Sequence, residues 1–254
     1  AQPGLGKTRL VREFRIQCQL KGIPFFSGAC VEETGKAFAP FLDILQTMAR
    51  AEQSLDLPKD SGAAGTLEAR ALLLAEKEVK KPKTTGDSTL QERQVGIRDR
   101  VAKAILRVAR AMPLVLSFED LHWADDETIE TLEYLWQGVV RDPDDGKPPA
   151  LVVCGTYRDG ELAGTAFGEW LRKLGLGGPN ATRNEKESAE TILLPPLAEN
   201  EVRDFLTSML GLEEVPVPLL RKVHEECGGA PLAIEELMKL LFEEHVLSYE
   251  GAAW

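Results

Sequence analysis

Apolar and polar positions along the chain switch between two periods, and the changes of period divide it into elements. Over 7–20, Leu10, Val11, Phe14 and Cys18 recur at the spacing of one helix face, so a helix follows the opening glycine turn. GIPFFSGACVE then predicts a turn and a short buried strand, and FAPFLDILQTMAR returns to helical spacing. LQERQVGIRDRVAKAILRVARA is strongly helix-periodic, with Val101, Ile105 and Val108 on one face, and Pro113 stops it. LVLSFED follows as an uninterrupted apolar run ending in two carboxylates, the pattern of a strand covered on both faces in a parallel sheet. Next come a helix (DETIETLEYLWQGVV), a turn-rich loop (RDPDDGKPP) and a second buried strand (ALVVCGTYRD). After a further helix and a polar stretch near 177–189, ETILLPPL reads as a short final strand. From there the chain is helical over 199–210, 216–226 and 231–246.

Strands alternating with helices in this order predict an α/β domain with a mostly parallel sheet flanked by helices. The expected organisation is a core over 1–196 and a small helical lid over 197–246. Within the core, 56–88 is rich in turn formers and charge and reads as a solvated, partly mobile insertion. Its KEVKKPK run is a wet surface rather than a binding site. No internal repeat is visible.

Composition and charge narrow the function classes. The 254 residues are 43% hydrophobic and 28% charged, an ordinary globular balance. Acidic residues outnumber basic ones 41 to 30, giving a net charge of -11. That argues against direct nucleic-acid binding, which needs concentrated Lys and Arg. No apolar run is long enough to span a bilayer, so no membrane partner is expected. Cys18, Cys30, Cys154 and Cys227 are scattered without a CxxC pair, reading as reduced thiols of a cytoplasmic protein and not as a metal site.

The candidate chemistry begins at AQPGLGKT, which matches a phosphate-binding loop of form A-x-x-x-x-G-K-T, with Ala1 where the first Gly usually sits. Gly4 and Gly6 can take backbone conformations closed to other residues, turning consecutive N–H groups inward around a phosphate. Leu5 and Arg9 complete the run of candidate nucleotide-binding residues along this backbone. Lys7 offers an ammonium to outer phosphate oxygens, and Thr8 a hydroxyl to Mg²⁺ at the start of a helix whose dipole faces the anion. Apart from Lys7 the anion is held by backbone dipoles, so an acidic protein can still bind ATP. In LVLSFEDLHWADD a buried strand delivers Glu119 and Asp120 to its C-terminal end, as Mg²⁺ and a hydrolytic water require. Counting along the strand puts Glu119 on the metal side and Asp120 on the water side, and one residue of slippage reverses them. Arg158, at the end of the second strand, senses a terminal phosphate or else pairs with Glu161. His122 and Trp123 read as packing residues beside the site. Gly228, Gly229 and Pro231 begin a helix of the lid, and His224 and His245 receive no role.

PGLGKTRLVREF, LVLSFEDLHWADDETIETLEYL, VVCGTYRDGEL and CGGAPLAIEELMKLL together resemble the AAA-type ATPase domain of large bacterial signalling proteins, the STAND class of P-loop NTPases. Similar domains sit in LuxR-type activators such as the maltose activator, in adenylate cyclases and in serine/threonine kinases. The resemblance covers nearly the whole chain except 56–88 and 177–189. It implies that Gly4, Leu5, Gly6, Lys7 and Thr8 form a Walker A loop and that Glu119 and Asp120 form a Walker B pair, with Glu where Asp is commoner. It further implies that Arg158 stands at the sensor-1 strand end and that Pro231 is the Pro of a GxP motif lying against adenine. Such domains bind ATP or ADP with Mg²⁺, switch between closed and open states, self-associate, and control effector domains of the same protein. By this resemblance a first strand before the glycine turn is missing, and 247–254 begins a truncated winged-helix subdomain. Two other readings remain open. A small-molecule phosphotransferase needs an Arg-rich lid, where the chain after Pro196 offers Arg203 and Arg221. A scaffold that holds nucleotide without hydrolysis fits the Glu119 substitution.

Overall fold

The computed structural model describes residues 2–32, 37–51, 90–140, 148–176, 183–184 and 189–247. The insertion expected over 56–88, Ala1, most of the polar stretch near 177–189 and all but Leu247 of the expected winged-helix start lie outside these residues. The chain forms two compact units, one from Ala1–Leu10 with Ile192–Trp254 and one from Val11–Thr191.

In the larger unit the elements run α1 (Lys7–Leu20, whose first turn belongs to the smaller unit), β1 (Phe25–Ala29), α2 (Ala39–Ala51) and α3 (Leu90–Ala111). β2 (Leu114–Glu119), α4 (Asp126–Val140), β3 (Leu151–Gly155) and α5 (Ala166–Lys173) follow. The sheet order is β1-β2-β3, all parallel, with Phe26 opposite Leu116 and Leu116 opposite Val153. Five residues of β2 are buried, as an unbroken apolar run demands of a central strand, and only Glu119 at its end is part-exposed. The predicted helix faces are where the core is: Val101, Ile105 and Val108 of α3 and Phe41, Ile44, Leu45 and Met48 of α2 are all buried. Phe41 meets Phe118 of β2 at a centroid distance of 5.0 Å. α3 and α4 are laced on their wetter side, where Tyr134 donates to Asp99 Oδ1 at 2.7 Å and Arg98 pairs with Glu130.

Three expectations need correction. ALVVCGTYRD forms β3, but not as a buried strand: Val152 is 51% and Val153 43% exposed. Among the described residues β3 is a sheet edge, so its apolar run lacks the cover that β2 has. ETILLPPL is not a strand beyond Glu190: Ala189–Glu190 pairs antiparallel with Arg183–Asn184, and the chain then runs without regular structure. Pro195 and Pro196 bring no N–H to a ladder, and Ile192 and Leu193 stay exposed. On α1, the expected apolar face buries only Cys18, while Leu10 and Phe14 remain partly in solvent and Phe14 makes an edge contact with Phe25.

The smaller unit packs α6 (Glu199–Leu210), α7 (Val217–Cys227) and α8 (Pro231–Glu243) around Val202, Leu206, Leu220, Val223, Ile234 and Met238. Glu201 accepts the Ala198 N–H at 2.7 Å, satisfying an orphan donor at the start of α6. Gly211 and Gly228 end α6 and α7 with φ of 64° and 56°.

Two glycines are held by their surroundings. A Cβ on Gly28 of β1 would lie 2.2 Å from the Pro40 carbonyl oxygen at the start of α2, and one on Gly229 would lie 2.2 Å from the Leu197 oxygen. Gly28→Ala and Gly229→Ala are each expected to lower stability by about 1–3 kcal/mol, because backbone, not a pliable side chain, has to move. Thermal unfolding followed by circular dichroism checks this, with Gly96→Ala, at an open helical position where Ala is expected to stabilise by up to about 1 kcal/mol, as the contrasting control.

Candidate functional site

The glycine turn is built as its sequence requires. Gly4 and Gly6 have φ of 77° and 92°, values that L side chains rarely adopt. α1 begins directly after them at Lys7, with no acidic residue in its first turn, so no side chain of its own neutralises the positive end of the helix dipole. A Cβ on Gly6 would meet nothing within 4 Å. The turn is thus open beside Gly6. Lys7 Nζ donates to the Gln2 carbonyl oxygen at 2.8 Å, folding its ammonium over the loop. Leu5 is half-buried, and Thr8 and Arg9 are exposed.

The same unit brings Pro231 to this loop. Leu232, the second residue of α8, donates its N–H to the Gly4 oxygen at 3.2 Å, and a Cβ on Gly4 would press Leu232 Cβ at 3.2 Å. Pro231 at the head of α8 suits a position whose N–H has no helical partner. Gly229 has φ of 73°, and its oxygen accepts the Leu197 N–H at 2.8 Å, fixing the approach of α8. Two groups of residues far apart in sequence, Gly4 and Pro231, therefore share one location.

In the larger unit the acid pair stands at the end of β2. Glu119 is the last strand residue, and its carbonyl oxygen accepts the Cys30 N–H at 2.9 Å. Asp120 is the first residue off the strand and sits in the left-handed region, φ 55° and ψ 48°. A short polar side chain tolerates that conformation better than most, and the surroundings hold it. Thr156, just past β3, accepts the Asp120 N–H on Oγ1 at 3.1 Å and the Leu121 N–H on its carbonyl oxygen at 2.9 Å, while its own N–H goes to Phe118. Gly155 leaves room for Leu121, whose Cδ1 a Cβ would approach to 2.3 Å. The acids leave their mark on Cys30. Burial first, then the charges of Asp125 and Asp120, push its thiol up to about 12. Asp125 itself has a structural task, accepting the Thr128 N–H at 2.7 Å at the start of α4.

Arg158 pairs with Glu161, as one of its two sequence readings has it: Nη1 donates to Oε1 at 2.9 Å. The pair holds the guanidinium in its charged form, helped by the carboxylates of Asp120 and Glu32. The guanidinium also lies over the Trp123 ring, 5.2 Å from its centroid. His122 is buried, with Nε2 3.2 Å from Glu161 Oε2 and Nδ1 4.0 Å from Asp120 Oδ1. Sequence reasoning assigned no site role to Thr156, Glu161 or Trp123. The three-residue step from Arg158 to Glu161 was the available signal for one of them. The bracing by Thr156 has no sequence signature, because it depends on where β3 ends relative to β2.

Residues 2–153 match the family model described as an AAA ATPase domain. No curated protein and no solved structure matches the chain significantly. Among the described residues no helix is long and apolar enough to cross a membrane. The matched span includes the glycine loop, the parallel sheet with its acid pair and most of β3, and it stops short of Arg158 and Pro231. More than half of the chain is thereby accounted for, and the α/β architecture is the one a P-loop ATPase needs; the chain belongs to the AAA ATPase domain family.

Proposed function

We propose that the chain is an ATP-binding, slowly hydrolysing switch module that controls an effector or DNA-binding domain in a larger signalling protein. The observation that carries this reading is the open glycine turn, with Gly4 and Gly6 at positive φ ahead of a helix whose first turn holds no acid. Amides of Gly4, Leu5, Gly6, Lys7, Thr8 and Arg9 are assigned to the phosphates, and Lys7 to the outer phosphate oxygens in exchange for the Gln2 carbonyl. Pro231, beside Gly4, is assigned to the adenine. The hydroxyl of Thr8 and the carboxylates of Glu119 and Asp120 are the hard oxygen donors that Mg²⁺ favours. Bound there, Mg²⁺ would neutralise developing phosphate charge. Glu119 in place of the commoner Asp supports slow turnover. The resemblance of the EDLHWAD and GGAP segments to STAND-class modules supports the switch role and nucleotide-dependent self-association.

Lys7→Ala is expected to weaken ATP binding roughly ten- to hundredfold, the loss of a hydrogen bond to a charged group. Isothermal titration with MgATP measures it, and unchanged affinity would remove the reading. Glu119→Gln and Asp120→Asn are expected to separate the two acids: neutralising the one that holds Mg²⁺ lowers the Mg²⁺ dependence of ATP affinity, and neutralising the other retains that affinity and slows phosphate release by about a hundredfold or more. Single-turnover phosphate release separates the two, and retained ATP without release in the unaltered protein identifies a scaffold instead. Sedimentation with ATP and with ADP tests self-association, which the proposed role requires to differ between the two nucleotides.

A further inference from the structure

In the larger unit, α3 and α4 lie side by side and parallel, because the pairs that join them advance together along both helices. Gln94 meets Glu127 at 2.8 Å, Arg98 meets Glu130, and Asp99 meets Tyr134 at 2.7 Å. Their solvent faces carry opposite charge. On α3, Arg100, Lys103, Arg107 and Arg110 recur at three- and four-residue steps, which places them within an arc of about 80° along about 15 Å of helix. The first three are exposed and Arg110 is half-buried; among the described side chains of α3, Asp99 at the edge of this stripe is the only acid. On α4, Asp126, Glu130 and Glu133 recur in the same way within about 60°, the first two exposed and the third half-buried. Near the seam Val95 is 55% and Tyr134 38% exposed, Tyr134 reaching Asp99 and Val95 standing one turn before it.

Two local causes fall short of explaining the stripes. Charge that complements a helix dipole acts within the first or last turn, and of these seven residues only Asp126 and Arg110 stand there. Pairing inside the chain engages Lys103 with Asp99 and Glu130 with Arg98, yet the side chains of Lys103 and Glu130 stay 64% and 52% exposed, open to a further partner. In a chain of net charge -11, four cations on one helix face make a place that accepts a negative surface. A surface of matching spacing is the face of α4, and because both faces point outward they meet fully only between copies.

We propose that the α3–α4 face is a contact between two copies of this chain, related by a twofold axis through the seam. Each copy lays its α4 acids on the α3 cations of the other, with Val95 and Tyr134 near the centre. A surface that carries both signs side by side is self-complementary under that rotation, so every cross-contact is made twice. An apolar and aromatic middle with charge around it is the ordinary anatomy of an interface. The net charge of -11 makes two copies repel at a distance, but in about 0.1 M salt that repulsion is screened beyond about 10 Å, and local pairing decides. Half-wetted pairs are each of small worth, so the dimer is weak, with a dissociation constant of roughly 10–100 μM. The contact needs no nucleotide and does not rest on the ATP-binding reading.

The test is sedimentation equilibrium without nucleotide at up to about 200 μM protein, with circular dichroism confirming that each variant folds. Lys103→Glu/Arg107→Glu and Asp126→Lys/Glu133→Lys are each expected to weaken the dimer about tenfold or more. An equimolar mixture of the two variants regains it, because a reversed α3 then matches a reversed α4, and a chain carrying all four changes dimerises with itself again. Raising the salt to about 0.5 M weakens the unaltered dimer. Lys103→Gln/Arg107→Gln, expected to weaken it about threefold, serves if the reversed variant does not fold. A monomer at every concentration, a dimer that ignores both reversals, or a mixture that stays monomeric overturns the proposal. Poly-glutamate binding to a monomeric unaltered chain, lost in Lys103→Glu/Arg107→Glu, assigns the cations to an acidic partner of another kind and overturns the second copy. Association seen only with ATP and indifferent to these charges upholds the switch reading and overturns this one.

Discussion

Parallel pairing of β2 on both of its edges is the constraint from which the rest of the larger unit follows. Its peptide groups are committed to β1 and β3, its side chains are buried on both faces, and fully buried Leu116 and Phe118 each contribute about 1.5–3 kcal/mol by leaving water. A strand so enclosed can present charge only where it ends. Glu119 and Asp120 are therefore at its carboxyl end because every earlier position would bury an unpaired carboxylate. The neighbouring strands finish the job by hydrogen bonding: the residue after β1 donates to the Glu119 oxygen, and the residue after β3 accepts from Asp120 and Leu121. The left-handed Asp120 is thus held from two sides by the sheet that delivers it.

A second consequence concerns the cation. Because β3 runs parallel to β2 and in register with it, the residues following Gly155 emerge beside the acid pair. Arg158 arrives next to carboxylates by topology, and Glu161 supplies the local counter-charge within a single turn. The aromatic face of Trp123, itself placed by the short 3₁₀ turn Leu121–Trp123 after Asp120, completes the seat. Strand end, turn and ion pair are packed as one assembly.

The smaller unit obeys a different logic. Its helices are held by an aliphatic core, and the feature of chemical interest is backbone: the Gly4 oxygen tied to the head of α8. Here glycine serves by close approach as much as by conformation, since both Gly4 and Gly229 sit where a methyl group would press on a neighbour.

Much of this was written in residue order. The unbroken apolar run LVLSFE identified a strand covered on both sides, the 3.6-residue spacing of Val101, Ile105 and Val108 identified a buried helix face, and the glycines of PGLGKT identified a turn at positive φ. These are local properties, determined by burial, periodicity and the steric freedom of glycine. What the sequence by itself left undetermined depends on neighbours. LVVCG reads like LVLSFE, yet among the described residues β3 lies at an edge, because an apolar run does not record whether a second strand covers it. The hold of Thr156 on Asp120 and the meeting of Gly4 with Leu232 were decided only in three dimensions. Each joins groups whose separation along the chain carries no periodic signal, and only the packing that surrounds them sets the distance.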